Sequence, residues 1–378
     1  MTRLSINHVA EDMNVLAGGV PAVVRQLCRR LSEKEYKLSL THVCGDASDL
    51  SDIVKIAKLT PHGCLRSWGY SLRLENYLNK SISLQEFGHS LFHIHGVWKA
   101  PHILSAKYSA ISSVPFLFSV HGMLEPWLWK QQGFAHRLKK ILFWSLLARK
   151  YMIKSTVVHA ITPLERDHLH ALLPSCRIEV IPNAIDLVSF PPSGFRSRDK
   201  KFLFLGRLEP KKGIDILIKA FAHASLGSDW TLEIVGPSWS DAYVELLRNL
   251  VVNSGLSGRI HFHGPLVGSA KQAILEDSWA MVTPSHSEVV GLVNLEAAAY
   301  LLPSITTYQT GLSDWLDGGG LLVSPEVDSL SQALIQSSFW SVEEQFERGL
   351  ASRALVEKKY SWSAVLPMWE DLYSSISG

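Results

Sequence analysis

Two glutamates, Glu288 and Glu296, stand in a stretch of the chain, 283–300, that holds no other charged residue. Glu296 lies in an apolar run, 291–302, typical of a buried helix, and a buried carboxylate requires a partner that neutralises it or hydrogen-bonds to it. Glu288 precedes that run in a serine-rich turn, where the backbone N–H groups of a helix N-terminus would form an anion site. The pattern indicates a phosphorylated ligand whose hydroxyl groups donate to the glutamates. The alternative is a solvated helix cap at Glu288 and a structural ion pair at Glu296.

Two cations, Arg207 and Lys212, lie in the sequence GRLEPKKG, 206–213, between a predicted strand and a predicted helix over 214–224. Arginine offers a bidentate fork and lysine a point charge, and together they suit a diphosphate. The residue order of a Walker loop is absent from this turn. We therefore expect Arg207 and Lys212 to bind a diphosphate, and Lys211 to face solvent.

The first half of the chain offers a glycine pair and a histidine that could contact a ligand. Gly18-Gly19 precedes a helical pattern with Pro21 in its first turn, and paired glycines let a ligand approach the backbone. His121 follows a predicted strand over 116–120, at the carboxyl end where parallel sheets bind ligands. The alternatives are ordinary turn chemistry for the glycines and a structural role for the histidine.

Two His-x-His pairs, His93 with His95 and His261 with His263, each place both imidazoles on one face of a predicted strand. Neither pair has a third ligand at a convincing spacing, and no Asp-x-Asp exists to hold a divalent ion on a diphosphate. The sequence therefore predicts no metal site.

The segment 130–154 is strongly basic. Seven lysines and arginines occur there without an acid, and they are interleaved with leucine, isoleucine and tryptophan. This composition is typical of a helix that lies on anionic lipid. An amphipathic helix that packs on the sheet with a solvated basic rim is the alternative.

Composition excludes several classes of protein. The 378 residues carry a net charge of only +2, so no general affinity for nucleic acid is expected. The four cysteines are scattered without a metal or redox spacing, which predicts free thiols in a reducing cytosol. The start of the chain lacks a signal-peptide pattern, and no run of apolar residues could span a bilayer. We expect a cytoplasmic protein, soluble or peripheral to a membrane.

Short apolar runs alternate with helical patterns along the whole chain, as in parallel α/β sheets. The predicted strands are Leu4–Asn7, Leu38–Val43, Leu91–His95, Phe116–Val120, Thr156–Ala160, Ile178–Ile181, Phe202–Leu205, Thr231–Val235, Arg259–His263, Ala280–Thr283, Ser304–Thr307 and Leu321–Val323. A stretch rich in proline, glycine and serine, 186–200, interrupts the pattern and predicts a linker. The prediction is two doubly wound, Rossmann-like α/β domains that face each other across a cleft, over 1–190 and 199–360.

Taken together, these motifs resemble the retaining glycosyltransferases of the GT-B fold, family 4. The resemblance rests on Gly18-Gly19, on Arg207 with Lys212-Gly213, and on the two glutamates with seven residues between them. His121-Gly122-Met123 followed by Trp127 resembles the subgroup that acts on bacterial surface polysaccharides. The final helical pattern, 361–378, is then expected to pack back on the first domain.

The resemblance implies a role for each motif residue. Arg207 and Lys212 would neutralise the leaving nucleoside diphosphate, Glu288 would bind the transferred sugar, and Glu296 would bind the ribose. His121 would contact the donor sugar or its phosphate, and with Arg207, Lys212 and Glu288 it makes up the expected catalytic set. The expected donor-binding residues are Gly18, Gly19, Arg207, Lys212, His263, Ser287, Val289, Val290, Gly291, Leu292 and Glu296. Val290 stands where the family commonly has an aromatic residue, beside the transferred sugar.

The implied activity is transfer of a sugar, with retention and without metal or cofactor, from a nucleoside-diphosphate sugar to a hydroxyl group. The acceptor would be a glycan or a polyprenyl-linked oligosaccharide of cell-surface polysaccharide biosynthesis, met at the cytoplasmic face of the inner membrane through 130–154. A nonhydrolysing nucleotide-sugar epimerase and a catalytically inactive GT-B binding protein are the alternatives. A dinucleotide oxidoreductase is excluded, because no Gly-x-Gly-x-x-Gly follows the first predicted strand.

Overall fold

The computed structural model describes residues 4–14, 18–34, 36–61, 65–83, 90–126, 129, 134–187 and 197–377. The chain divides into two compact units. The first unit is Met1–Ala184 with Val365–Gly378, and the second is Ile185–Ala364. Each unit is built on its own parallel sheet.

The first unit contains a seven-stranded parallel sheet in the order β3-β2-β1-β4-β5-β6-β7. Its strands are β1 (Ser5–Ala10), β2 (Lys37–His42), β3 (Lys55–Lys58), β4 (Ser90–His95), β5 (Phe116–Ser119), β6 (Val157–Ala160) and β7 (Ile178–Val180). Its helices are α1 (Gly19–Ser32), α2 (Leu72–Ser83), α3 (Ala100–Ile111), α4 (Phe134–Phe143), α5 (Arg149–Met152) and α6 (Pro163–Leu172), with a π-helical turn, Trp144–Ala148, joining α4 to α5. The strand order reverses between β1 and β4, which makes the carboxyl ends of these strands the expected place for a ligand.

The second unit contains a six-stranded parallel sheet in the order β10-β9-β8-β11-β12-β13. Its strands are β8 (Lys201–Leu205), β9 (Thr231–Val235), β10 (Ile260–Gly264), β11 (Ala280–Thr283), β12 (Ser304–Thr307) and β13 (Leu321–Val323). Its helices are α7 (Ile214–His223), α8 (Asp241–Asn253), α9 (Gly268–Asp277), α10 (Leu292–Ala299), α11 (Val327–Ser338) and α12 (Val342–Lys359). The order reverses between β8 and β11, so the turns that follow these two strands are neighbours at the sheet's carboxyl edge.

Burial explains why the central strands lack a polar–apolar alternation. Every residue of β4, β5, β6, β11 and β12 is buried, as expected for parallel strands covered by helices on both faces. In the second unit the aromatic side chains of Phe202, Phe221 and Trp230 pack together in the core. These rigid cores fix the strand ends from which the candidate site residues project.

The last helix, α13 (Trp362–Ser377), belongs to the first unit from Val365 onward. The hydroxyl group of Tyr373 lies 2.8 Å from Nδ1 of His93, and Trp369 packs against the same imidazole at 5.0 Å between ring centroids. The end of the chain thereby completes the core of the unit in which the chain begins.

The prediction of two doubly wound α/β domains is confirmed, and twelve of the strands lie where the sequence places them to within a few residues. The strand β3 is the exception, because its sequence KIAK gives an edge strand with no fully buried residue and no apolar run. Most of the predicted linker lies outside the described residues, as do Trp127, Lys130 and Cys64. Cys28, Cys44 and Cys176 are free thiols, as predicted.

Among the described residues, no helix has the length and apolar character needed to cross a bilayer.

Candidate donor site

The turns that follow β8 and β11 are held against each other at the carboxyl edge of the second sheet. The amide of His286 donates to the carbonyl oxygen of Lys211 at 2.9 Å. Gly213 has a φ of +66°, and a Cβ atom there would lie 2.3 Å from the carbonyl oxygen of Pro284. Only glycine fits this close approach, which brings the side chains after β8 beside those after β11.

Lys212 and Glu288 form an ion pair across these two turns. Nζ of Lys212 donates to Oε1 of Glu288, which also accepts from the hydroxyl group of Ser285 at 3.2 Å. The side chains of Lys212 and Glu288 are only 22% and 16% exposed. The structure therefore unites two predicted catalytic residues that are far apart in sequence. The contact also positions the Glu288 carboxylate, so Glu288 is not a solvated cap.

The backbone amides of 287–291 are the other hydrogen-bond donors of the predicted anion site. The amide of Glu288 donates to the carbonyl oxygen of Gln309 at 2.8 Å, so this amide is already engaged. In the described part of the chain, the amides of Ser287, Val289, Val290 and Gly291 have no acceptor. They precede the first turn of α10, where a helix dipole favours an anion. Four of the five backbone amides in the predicted anion site therefore have no acceptor among the described residues and could donate to an anion.

A buried polar cluster fixes where α10 begins. The hydroxyl group of Thr283 donates to Oδ1 of Asn294 at 2.9 Å and lies 2.7 Å from the hydroxyl group of Thr306. All three residues are buried. Asn294 also lies so close to Gly291 that a Cβ atom there would be 2.5 Å from Nδ2. Packing against Asn294 therefore favours glycine at position 291, and a ligand contact there stays a prediction.

Arg207 is the second residue that the sequence predicts to bind a diphosphate. Its side chain is exposed, and within the described ranges no carboxylate forms an ion pair with it. It lies two residues after the end of β8, next to Gly206. Lys211, which the sequence predicts to face solvent, is half-buried like Lys212. Arg207 is thus an exposed cation at the switch point, whereas the charge of Lys212 is shared with Glu288.

The predicted burial of Glu296 is wrong. Its side chain is 36% exposed, and its Oε2 accepts from Nζ of Lys271 on α9 at 2.7 Å. The helix α10 is shorter than the apolar run suggests, and Glu296 lies on its partly exposed side. The ion pair that the sequence left open as an alternative is present, and a ribose role for Glu296 stays a prediction.

His263 is held by a carboxylate that sequence reasoning missed. Nε2 of His263 lies 2.6 Å from Oε2 of Glu233, a buried residue of β9 that also accepts from Thr231. Nothing among the described contacts joins His263 to Glu288 or Lys212. Of the other predicted donor residues, Ser287, Val290 and Gly291 are buried, whereas Val289 and Leu292 are half-buried.

In the first unit, His121 follows β5 in the turn at the carboxyl edge. It has a φ of +50°, a left-handed conformation uncommon for a residue with a side chain, and Gly122 next to it has a φ of +74°. Nε2 of His121 lies 3.1 Å from Nδ1 of His95. Gly18, with a φ of +110°, precedes the helix α1, which begins at Gly19.

Three histidines of β1 and β4 lie where the strand order of the first sheet reverses. Ligand nitrogen atoms of His8, His93 and His95 lie within 4.8 Å of one another, and all three residues are buried. His8 is the third imidazole that spacing along the chain could not show, because it is on a different strand. Nitrogen atoms of all three already take part in hydrogen bonds, and the absence of a metal site stays a prediction.

Comparison with known proteins agrees with this architecture. Residues 17–189 match the family described as Glycosyltransferase Family 4, and residues 188–338 match Glycosyl transferases group 1. The D-inositol 3-phosphate glycosyltransferase of Frankia alni is 31% identical over 239 residues, which cover 56% of each chain. That of Acidothermus cellulolyticus is 32% identical over 165 residues, 39% of this chain and 37% of the relative. The matched regions therefore span only 37% and 56% of the length of these two curated relatives.

Solved structures match over almost the full length. Sucrose-phosphate synthase from Thermosynechococcus elongatus superposes with a TM-score of 0.77 at 22% identity, covering 99% of both chains. Anabaena HepE in complex with UDP and glucose has a TM-score of 0.77 at 17% identity, covering 99% of this chain and 100% of the other. At these identities the likeness shows the fold. The chain therefore has the GT-B fold, and its two halves match the family models of Glycosyltransferase Family 4 and of Glycosyl transferases group 1, in that order.

Proposed function

We propose that the protein transfers a sugar from a nucleoside-diphosphate sugar to a hydroxyl group of an acceptor, with retention of anomeric configuration and without a metal ion. The observation that carries this proposal is the contact between Lys212 and Glu288, beside the exposed Arg207, at the switch point of the second sheet. Cations and a sugar-binding carboxylate at one strand edge match the chemistry of a diphosphate joined to a sugar.

The cations and the amides would act on the leaving group. Negative charge develops on the diphosphate as its bond to the sugar breaks, and fixed donors aimed at that charge stabilise the transition state. In enzymes one such donor contributes about 2.7–4 kcal/mol. The guanidinium of Arg207 can bind two phosphate oxygens, and the amides of 289–291, which precede the helix α10, would supply further donors to the same diphosphate.

The carboxylate of Glu288 is already paired with Lys212, so it is a poor covalent nucleophile in this state. The proposed attack is on the front face of the sugar, and the departing phosphate takes the proton of the acceptor hydroxyl group. Glu288 would accept a hydrogen bond from a hydroxyl group of the transferred sugar. His121 of the first unit is the further proposed contact to the donor.

The comparisons suggest which molecules to assay first. Anabaena HepE is recorded in complex with UDP-glucose, which supports UDP as the first nucleotide for this chain. The curated relatives are inositol-phosphate glycosyltransferases, which supports a phosphorylated polyol as a small test acceptor. WaaG, of the same fold with a TM-score of 0.73, is described as involved in lipopolysaccharide biosynthesis, which supports a surface-glycan acceptor.

The exposed face of 137–154 supports peripheral membrane contact at the acceptor side. Trp144, Ala148 and Met152 face the core, so the segment packs on the sheet through one side. On the other side Leu142 and Leu146 are 50% and 67% exposed. Exposed cations accompany them at positions 137, 139, 149, 150 and 154. Aliphatic side chains among cations form the surface that binds anionic lipid headgroups.

Incubation with UDP-sugars, with and without acceptor and EDTA, tests the proposal. Transfer should require the acceptor, continue in EDTA and give a product with retained anomeric configuration. A free epimeric nucleotide sugar formed without acceptor would instead identify an epimerase. Nucleotide binding without any turnover across sugars and acceptors would identify an inactive binding protein. Loss of activity in EDTA that Mg2+ restores would contradict metal independence.

A further inference from the structure

Five histidines lie close together at the carboxyl edge of the first sheet, and hydrogen bonds join them into two chains. One chain runs from Tyr373 through His93, Ser119 and His159 to the carbonyl oxygen of Ile181. The other joins His8, His95 and His121. Because a neutral imidazole carries one proton, each chain has a direction that its ends determine.

The first chain has only one consistent assignment of protons. The carbonyl oxygen of Ile181 is an acceptor, so Nε2 of His159 donates to it at 2.7 Å. Nδ1 of His159 is then bare and accepts from the hydroxyl group of Ser119 at 2.7 Å. Ser119 in turn accepts from Nε2 of His93, whose bare Nδ1 accepts from Tyr373. Every donor in this chain has an acceptor.

In the second chain, the hydrogen bonds can run from His8 to His121 or in the opposite direction. The protonation of Nε2 of His8 distinguishes the two cases. Nδ1 of His8 lies 3.0 Å from Nε2 of His95, and Nδ1 of His95 lies 3.1 Å from Nε2 of His121. Nε2 of His8 is buried without a partner. If the chain runs from His121 to His8, this nitrogen carries a proton and is a buried N–H group without an acceptor. If it runs from His8 to His121, the same nitrogen is a bare lone pair.

Orphaned buried N–H groups are the rarer of the two cases in proteins, so the second direction is favoured. At the other end of this series of hydrogen bonds, Nδ1 of His121 has no partner among the described residues of the protein. His121 is half-buried. Water can satisfy that nitrogen with or without a proton, so this end does not oppose the choice.

We propose that His95 is a positioning residue for His121: its Nδ1–H group donates to Nε2 of His121, which leaves the proton of His121 on Nδ1. His8 completes the chain by donating to Nε2 of His95. His121 then presents a neutral N–H donor, and no bare nitrogen, to whatever occupies the turn after β5.

The charge state of the chain agrees with this assignment. Burial lowers the pKa of His8 and of His121 to about 3, and holds the pKa of His95 well below its ordinary value. All three imidazoles are therefore neutral near pH 7. A neutral N–H group on His121 can donate to a phosphate or sugar oxygen, and it cannot act as a general base. This chemistry rests on the proposed function, which supplies a ligand rich in such oxygens.

The test is nitrogen-15 NMR of histidine-labelled protein without ligand, in which protonated and bare ring nitrogens resonate in separate regions. Two-bond correlations identify Nδ1 and Nε2, and His121→Phe assigns the signals by their loss. The expected result is that Nδ1 of His121 is protonated and Nε2 is bare. A protonated Nε2 in the wild-type protein would overturn the proposal, without bearing on whether the protein is a transferase.

His95→Phe removes the donor. His121 should then shift toward the Nε2–H tautomer that free histidine prefers in water, and an unchanged Nδ1–H signal would overturn the role of His95. His42→Phe is the matched control, because His42 is a buried strand histidine bonded to the carbonyl oxygen of Cys44 and should leave His121 unchanged. With an active donor sugar, His95→Phe should lower kcat/KM about threefold to tenfold. Should His95→Phe fail to fold, the wild-type spectrum still decides the direction of the chain.

Discussion

The amide of Gly122 donates a hydrogen bond of 2.6 Å to Oε1 of Glu165, which lies 43 residues further along the chain. The other carboxylate oxygen of Glu165 accepts from the amide of Ile161 at 2.7 Å, at the N-terminus of α6. Glu165 is buried, and burial raises its pKa to about 7 although the two amides favour the ionised form. This one side chain therefore ties the turn that contains His121 to the neighbouring helix.

Glu165→Ala should lower the free energy of unfolding by roughly 2 kcal/mol or more, because two buried amides lose their acceptor. Glu165→Gln should cost less than Glu165→Ala, because its amide oxygen can still accept from one of the two backbone N–H groups, while its NH2 group faces the other. Urea unfolding measures both values. Glu245→Ala on the exposed face of α8 is the control, and a loss at Glu165→Ala no larger than at this control would show that the contact does not stabilise the fold.

Stability should fall as the solution is acidified from pH 7 to pH 5. Burial lowers the pKa of His8 to about 3 and that of His159 to about 4, whereas both titrate near 6.5 when unfolded. The unfolded chain binds protons that the folded chain excludes, so their stabilisation is complete above about pH 6.5 and is lost below it. The loss is about 2 kcal/mol per buried histidine at pH 5.

Glu165 acts in the opposite direction, because its raised pKa makes the folded chain bind a proton as the pH falls below about 7. Glu165→Gln lacks this compensation and should lose more stability between pH 7 and pH 5 than the wild-type protein does. Urea unfolding at a series of pH values checks both statements. A flat profile for both proteins would contradict the neutral, buried state of the histidines.

Variants of Glu296 and Lys271 can distinguish a ribose-binding role of Glu296 from a purely structural ion pair. If Glu296 binds ribose hydroxyl groups, Glu296→Gln should weaken UDP about tenfold or more, since a hydrogen bond to a charged group contributes about 1.5–3 kcal/mol. The 2′,3′-dideoxy analogue should be weakened far less. Lys271→Met, which breaks the same ion pair but keeps the carboxylate, should retain the preference for UDP. Equal losses for both nucleotides would leave Glu296 as a structural residue.

Membrane contact can be tested by replacing Leu142 and Leu146 together with aspartate. The double variant should lose sedimentation with phosphatidylglycerol vesicles, because it removes exposed apolar area and adds charge that anionic lipid repels. The control replaces Leu246 and Val252, which are 53% and 63% exposed on α8 of the second unit. Equal vesicle binding by the two double variants would exclude this face.

The sequence predicts the fold well because periodicity reports burial. β9 and the strands from β11 to β13 occupy the residues expected from their apolar runs. β3 was missed because an edge strand needs no such run, and α10 ends early because Leu301 takes a left-handed φ of +57°. Burial of a whole segment is thus readable from composition, whereas the side of a short helix that remains exposed is not.

The candidate site could be predicted only in part. Arg207, Lys212 and Glu288 are found from their motifs, since their turns follow recognisable strands. Their mutual contact, and the partners Lys271 and Glu233, depend on strand order, which brings together residues far apart along the chain. For the same reason the sequence did not show the roles of Glu165 and His8, each of which hydrogen-bonds to a residue of a distant segment.

Calorimetric titration of UDP into wild-type and Lys212→Met protein is the most direct test of the central claim, that the switch point of the second unit binds a nucleoside diphosphate. Lys212→Met should weaken binding about tenfold or more, because it removes a cation from the phosphates and leaves Glu288 unpaired beside them. Lys219→Met, an exposed lysine on α7, should bind like the wild-type protein. Equal affinities for wild-type and Lys212→Met would contradict the claim.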